Sequence, residues 1–223
     1  MKIPKTSRNY DEVLTEMSSK GSEDLDYKNG KSWSLVYYID DDYYAFLKKA
    51  HNSYFSENGL NPMAFKSLKQ MEAEVVSMTS AMLHGGEAAV GTMTSGGTES
   101  ILCAMKAYRD RAKKKKPWIL RPEVVIPNTA HVAFDKAAHY FGIKLRHAPI
   151  NAQGQADVQA MRKLINRNTI LLVASAPQYP HGTIDPIDEI GALAERRGLP
   201  LHIDACFGGF MLPWLEKIGI PVP

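Results

Sequence analysis

The residues of this chain with the clearest chemical potential begin with a segment rich in glycine and hydroxyl groups, Thr-Ser-Gly-Gly-Thr-Glu-Ser from Thr94 to Ser100. A helix that starts at this turn presents free N–H groups and the positive end of its dipole, so Gly97 and Thr98 could bind a phosphate. Thr98 and Glu99 could equally form an ordinary helix cap, and the segment alone leaves both interpretations open. It matches neither the Walker pattern nor the dinucleotide fingerprint, which argues against nucleotides.

Polar side chains also follow three predicted strands. Asp204 ends an apolar strand, where a carboxylate is costly unless it meets a cation or strong donors, so a functional role is favoured over a strand cap. His202 lies two residues earlier and on the same face. His131 follows a second strand, although a histidine in that position is more often a cap or a core residue. Tyr179 and His181 lie in a loop rich in Pro and Gly, and they face either the same crevice or solvent.

These features together suit one kind of ligand, a planar phosphorylated heterocycle with a protonated ring nitrogen. Pyridoxal 5′-phosphate (PLP) fits this description. Its phosphate would bind at Gly97 and Thr98, His131 would stack on its ring, and Asp204 would keep the pyridine nitrogen protonated. The last contact matters because the protonated ring accepts electrons from a carbanion. No metal site is predicted.

Alternating strands and helices are predicted from Ala88 onward. These elements would position the candidate site residues from Gly97 to Asp204. The predicted strands are Val90–Met93, Val124–Pro127, Lys144–Ala148, Ile170–Ser175 and Leu199–Asp204. The predicted helices between them are Thr98–Lys115, His131–Phe141, Asp157–Asn166 and Ile187–Arg197, preceded by Asp11–Ser18 (N-cap Asn9), Asp42–Phe55 and Lys66–Leu83. This order predicts an α/β fold with a mainly parallel sheet and helices on both faces, and such sheets bind ligands at the carboxyl ends of their strands.

The composition excludes several classes of protein. The 223 residues contain 27 Lys and Arg against 24 Asp and Glu, a formal net charge of +3, so a dedicated nucleic-acid binder is not expected. Two cysteines cannot form a disulfide scaffold, and 44% hydrophobic residues can build a core. No apolar run reaches the length of a membrane span, and the amino terminus lacks a signal peptide. We expect a soluble, cytoplasmic protein.

Four segments resemble the PLP-dependent group II decarboxylase family: Thr94–Ser100, Ala130–Ala137, Pro177–Pro186 and His202–Phe210. The last two, with Tyr-Pro-His-Gly-x-Ile-Asp-Pro and Asp-Ala-Cys-x-Gly-Gly-Phe, favour the branch of carbon–carbon lyases that act on phosphorylated sphingoid bases. The resemblance covers nearly the whole chain. It implies the PLP-dependent transferase fold type I, which is aspartate-aminotransferase-like, with residues 1–62 as an amino-terminal arm with helices and residues 63–223 as the first part of the large PLP-binding domain.

The resemblance also implies roles for single residues. His131, Tyr179 and Tyr37 would be catalytic, and the cofactor would bind to Gly97, Thr98, His131, Asp204 and His202. Tyr37 would reach the active site across a homodimer interface and contact the substrate. Asn61 stands where the lyases often have a histidine that holds the substrate phosphate.

The implied reaction is a retro-aldol cleavage of a phosphorylated long-chain 2-amino-3-hydroxy base to a fatty aldehyde and phosphoethanolamine. One alternative is an amino-acid decarboxylase. Another is a catalytically incomplete fragment, because the family's Schiff-base lysine follows the strand that contains Asp204, and the chain has only Lys217 there, in a helical stretch. On this view the carboxy-terminal part of the fold is absent, and we expect the 223-residue chain alone to be inactive.

Overall fold

The computed structural model describes residues 3–32 and 36–222. The chain forms two compact units, Met1–Leu68 and Lys69–Pro223, and each is described by itself. The first unit contains helices α1 (Tyr10–Lys20) and α2 (Asp41–Ser53), and α3 (Lys66–Met82) starts at its end. Asn9 is the N-cap of α1, as predicted, since its Oδ1 accepts the N–H of Asp11 at 2.8 Å.

The second unit is an α/β domain built on a parallel sheet. Its strands are β1 (Glu123–Pro127), β2 (Lys144–Ala148), β3 (Thr169–Ser175) and β4 (Leu201–Asp204). In the described residues they form one four-stranded sheet in the order β2-β1-β3-β4, and every neighbouring pair is parallel. Its helices are α4 (Gly97–Lys115), α5 (Ala133–Phe141), α6 (Val158–Leu164) and α7 (Ile187–Arg196), followed by the short α8 (Leu212–Leu215).

Helices cover both faces of the sheet, as predicted. On one face, Val124 of β1 and Leu171 of β3 pack with Phe134 of α5 and with α4. On the other face, Val125 of β1 packs with Met161 of α6 and with α7. Residues of each central strand therefore enter opposite cores, which explains why the middle of both strands is continuously apolar. No helix within the described ranges is both long and apolar enough to cross a membrane.

The strand predicted at Val90–Met93 is wrong. The structure has no strand there, and Val90 is 94% exposed. A strand exists only where a neighbour completes its backbone hydrogen bonds, and no described residue pairs with this segment. A short apolar run bounded by breakers therefore indicated a strand, but it could not show whether a neighbouring strand exists to pair with it.

Asp185 ties together three parts of the second unit. It is 2% exposed, its Oδ1 accepts the N–H of Ala156 at 2.8 Å, and its Oδ2 accepts the N–H of Ser175 at 2.8 Å. Burial raises the pKa of the Asp185 carboxyl, and the two N–H groups oppose this effect. The carboxylate thus fixes the loop after β3 to the turn before α6.

We expect Asp185→Asn to lower the free energy of unfolding by about 1–3 kcal/mol, because the amide nitrogen places a donor against one of the two N–H donors. Urea unfolding of the variant and the parent protein measures the difference. Asp188→Asn, at an exposed position on α7, is the matched control. It should change the free energy of unfolding by only about a few tenths of a kcal/mol. Equal effects of the two substitutions would contradict this role of Asp185.

Candidate active site

The turn before α4 has a conformation that depends on glycine. Gly96 has φ +156° and ψ 173°, which side chains rarely allow. Oε2 of Glu99 accepts bonds from both the hydroxyl and the N–H of Ser95, each at 2.6 Å, and these bonds lower the pKa of the Glu99 carboxyl. The first N–H groups of α4 have no partner inside the helix. Gly96 provides no side-chain cap, and Glu99 bonds back to Ser95 outside the helix. The first N–H groups of α4 therefore stay available to an anion.

Gly97 brings this turn against the end of β4. A Cβ atom on Gly97 would lie 2.9 Å from Sγ of Cys206, so a larger residue here would require the Cys206 side chain to move. Cys206 in turn donates its N–H to Oδ1 of Asp204 at 3.1 Å. The structure therefore brings together the predicted phosphate-binding turn and the predicted carboxylate.

His202 occupies the core face of β4. Its ring packs edge-on against Phe134 of α5, with a centroid distance of 5.7 Å, and against Tyr108 of α4 at 6.1 Å. Burial lowers the pKa of the His202 imidazole, against the opposing charge of Asp204, so the ring is neutral near pH 7. The structure thus packs His202 against the core, and its predicted contact with the cofactor stays a prediction.

His131 caps α5. Its Nδ1 accepts the N–H of Ala133 at 3.1 Å, so a neutral ring carries its proton on Nε2. The ring is exposed and its faces are not used by the cap, which leaves stacking on a ligand open. Nearby in sequence, Thr129 has a buried hydroxyl with no hydrogen-bond partner among the described residues, and nothing in the sequence marked it.

The loop after β3 is held by a buried amide. Nε2 of Gln178 donates to the carbonyl oxygen of Gly154 at 3.2 Å and lies 3.0 Å from Nδ1 of His181, and Oε1 of Gln178 accepts the N–H of His181 at 2.9 Å. Tyr179 is exposed at the tip of this loop. Gly208, which follows β4, lies directly against Ala176, so the loop after β3 neighbours the loop after β4.

Tyr37 and Asn61 lie in the first unit. Tyr37 is exposed. Oδ1 of Asn61 accepts the N–H of Met63 at 3.0 Å, which makes Asn61 a turn residue. Their predicted roles toward the substrate stay predictions.

Comparison with models of protein families assigns the chain to a family. Residues 41–220 match the pyridoxal-dependent decarboxylase conserved domain. The chain belongs to the pyridoxal-dependent decarboxylase family. This confirms the resemblance found in the sequence, and it confirms pyridoxal 5′-phosphate as the cofactor of the family.

Individual proteins with known names are also similar in sequence to this chain. Sphingosine-1-phosphate lyase 1 of Mus musculus is 44% identical over 220 residues, which are 99% of this chain and 38% of the mouse protein. The lyase of Oryza sativa is 44% identical over 220 residues, 95% of this chain and 40% of that protein. The chain thus spans about two fifths of the length of these two curated relatives.

Solved structures confirm the predicted fold type I. A sphingosine-1-phosphate lyase of Burkholderia pseudomallei matches with a TM-score of 0.93 at 39% identity, over 99% of this chain and 52% of that chain. A glutamate decarboxylase of Lactobacillus brevis matches with a TM-score of 0.83 at 22% identity, over 97% of this chain and 52% of that one, which shows the fold alone.

The site of this chain fits PLP. The turn at Gly97 combines free N–H groups, the hydroxyl of Thr98 and a glycine that lies close to Cys206. Asp204 lies beside this turn, where it can pair with a protonated ring nitrogen. A phosphate and a pyridinium would thus meet groups of suitable charge on neighbouring elements, while Glu99 is turned back onto Ser95.

Cys206 should be a slow nucleophile. Burial, together with the carboxylate of Asp204, raises the pKa of its thiol to about 11, so roughly a thousandth is thiolate near pH 8. We expect alkylation of Cys206 by iodoacetamide to accelerate about tenfold for each pH unit above 8, and Asp204→Asn to accelerate it at constant pH. Peptide mapping distinguishes Cys206 from Cys103, and rapid alkylation of Cys206 near pH 8 would contradict the expectation.

Proposed function

We propose that the full-length protein is a PLP-dependent carbon–carbon lyase that cleaves phosphorylated sphingoid bases to a fatty aldehyde and phosphoethanolamine. The pattern of identities carries this proposal. Proteins named sphingosine-1-phosphate lyase from mouse, rice and Saccharomyces cerevisiae are 40 to 44% identical to the chain. A probable L-aspartate decarboxylase of Pyrococcus furiosus is 33% identical over 223 residues. The chain is thus more similar to these lyases than to this decarboxylase.

The chain would contribute most of its chemistry at the ends of the parallel strands. Gly97 and Thr98 would bind the cofactor phosphate through N–H groups and a hydroxyl. His131, its ring orientation set by the cap of α5, would lie against the ring of the cofactor. When bound, the cofactor supplies an electron sink for the pair left by the broken carbon–carbon bond. Asp204 would hold the proton on the pyridine nitrogen, which keeps that sink effective.

Three further residues would act on the substrate. Tyr179, exposed on a loop that Gln178 holds in shape, would exchange a proton with the hydroxyl next to the bond that breaks. Tyr37 and Asn61 would contact the substrate phosphate with neutral donors. His202 would support this arrangement from beneath β4.

An assay of the products tests the proposal. The full-length protein, supplied with PLP and a phosphorylated sphingoid base, should release a long-chain aldehyde and phosphoethanolamine. Glutamate and aspartate serve as competing substrates in parallel reactions. Release of carbon dioxide from either amino acid, without aldehyde from the sphingoid base, would contradict the lyase activity and support the alternative of an amino-acid decarboxylase.

A homodimer with a shared active site is part of the same proposal. No side chain is buried among residues 3–32 and 36–68, and large apolar residues such as Leu14, Met17 and Phe46 are exposed. Apolar surface of this kind is typical of an interface. Sedimentation of the active full-length protein should show a dimer at micromolar concentration, and a fully active monomer would refute the shared site.

A further inference from the structure

The end of α4 carries a concentrated positive charge. Residues 106–121 contain eight Lys or Arg and one Asp, a net charge of +7 in a chain of net charge +3. Asp110 is already paired, with Lys106 at 2.7 Å and Arg109 at 2.8 Å. Among the described residues no carboxylate forms an ion pair with Lys113, Lys114, Lys115 or Lys116. The charge of this run is therefore available to a partner outside the described chain.

Two large exposed apolar side chains follow the lysines closely in the sequence, and Leu120 lines one cleft with Lys113. After α4 the chain turns at Lys116, whose carbonyl oxygen accepts the N–H of Ile119 at 3.0 Å. Ile119 is 5% exposed and packs into the core, whereas Trp118 is 71% exposed and Leu120 is 87% exposed. The buried Ile119 anchors the turn, so Trp118 and Leu120 are held at the surface.

This surface lies at the amino-terminal ends of the parallel strands, whereas the candidate active site lies at their carboxyl-terminal ends. A cleft of about 200 Å³ is lined by Arg111, Lys115 and Lys116 together with Pro200, which precedes β4. Asp204 stands at the other end of that strand. Neither the predicted phosphate-binding turn nor the loop of Tyr179 uses these residues.

We propose that Lys113–Lys116, Trp118 and Leu120 form a docking surface for an anionic lipid bilayer, here called the basic–tryptophan surface. Each lysine near a negatively charged leaflet contributes attraction that salt weakens. Tryptophan partitions to the level of the headgroups, and the alkyl side chain of Leu120 enters the acyl boundary.

The apolar residues favour a bilayer over a nucleic acid as the partner. A lysine run alone attracts either polyanion, but the exposed alkyl chain of Leu120 gains nothing from a phosphate backbone in water. Under the proposed function the long-chain substrate would reside in the same bilayers. Docking itself does not depend on that reaction, because it can be measured without turnover.

Vesicle flotation tests the surface in the full-length protein. We expect binding to vesicles of phosphatidylcholine mixed with phosphatidylglycerol, weak binding to phosphatidylcholine alone, and a decrease with added salt. Changing Lys113, Lys114, Lys115 and Lys116 together to Gln should lower the partition coefficient about 100-fold or more. The matched control changes four exposed lysines elsewhere, Lys49, Lys66, Lys136 and Lys163, to Gln and should retain most of the binding.

Tryptophan fluorescence adds a readout that is independent of charge. Mixed vesicles should shift the emission of the protein to shorter wavelength, and Trp118→Phe should remove that shift. Leu120→Ser should weaken partitioning about tenfold while preserving the fold, since its side chain is exposed. Equal losses in the two four-lysine variants, no preference for the anionic vesicles, or tight binding of duplex DNA or RNA without vesicle binding would each overturn the proposal.

Discussion

Asp204→Asn is expected to lower kcat of the full-length protein by about 10³-fold or more. The structure places the carboxylate of Asp204 beside the predicted phosphate-binding turn, through the contact between Gly97 and Cys206. Under the proposed function its charge would keep the ring nitrogen of the cofactor protonated, and the neutral amide would not hold that proton. The rate of aldehyde release from a phosphorylated sphingoid base measures the effect.

Two controls distinguish this role from a structural one. Asp135→Asn changes an exposed carboxylate on α5 and should leave kcat nearly unchanged. The affinity of the Asp204→Asn protein for PLP should fall much less than its kcat, because Gly97 and Thr98 are intact. Near-normal turnover of the Asp204→Asn protein would mean that this carboxylate is only a strand cap.

Gly208→Ala is expected to lower the free energy of unfolding by about 3 kcal/mol or more. A Cβ atom at this position would lie 1.9 Å from the carbonyl oxygen of Ala176 and 2.7 Å from Cδ of Pro177. The first atom belongs to the backbone and the second to a rigid ring. The clash can therefore be relieved only if the loops after β3 and β4 move apart. Because Tyr179 lies in the first of these loops, activity should fall with stability.

The neighbouring glycine is a close control. A Cβ atom on Gly209 would meet its nearest neighbour, Cβ of Ala205, at 3.5 Å, an ordinary contact. Gly209→Ala should therefore change the free energy of unfolding by less than about 1 kcal/mol. Urea unfolding of both variants gives the comparison, and a Gly208→Ala protein as stable as the Gly209→Ala protein would contradict the close approach of the two loops.

The sequence alone predicted the secondary-structure elements and caps that depend on residues close together in the chain. Apolar periodicity and breakers indicated all seven of the longer helices and four of the five strands, with ends displaced by no more than two residues for most of them. Asn9 was predicted as a cap because its oxygen needs only the N–H of Asp11, two residues away. The cofactor class was also predicted, because free N–H groups with a hydroxyl at Gly97 and Thr98 suit a phosphate and the carboxylate of Asp204 suits a pyridinium.

Only the tertiary structure decided which of these elements meet. The contact of Gly97 with Cys206, the two bonds that Asp185 accepts and the packing of His202 on Phe134 join residues far apart in the chain. The failure of the strand at Val90–Met93 has the same origin, because a strand is completed by a neighbour and not by its own sequence. Local sequence thus determined the helices, the turns and the chemical groups of this protein, whereas long-range packing decided their positions relative to one another.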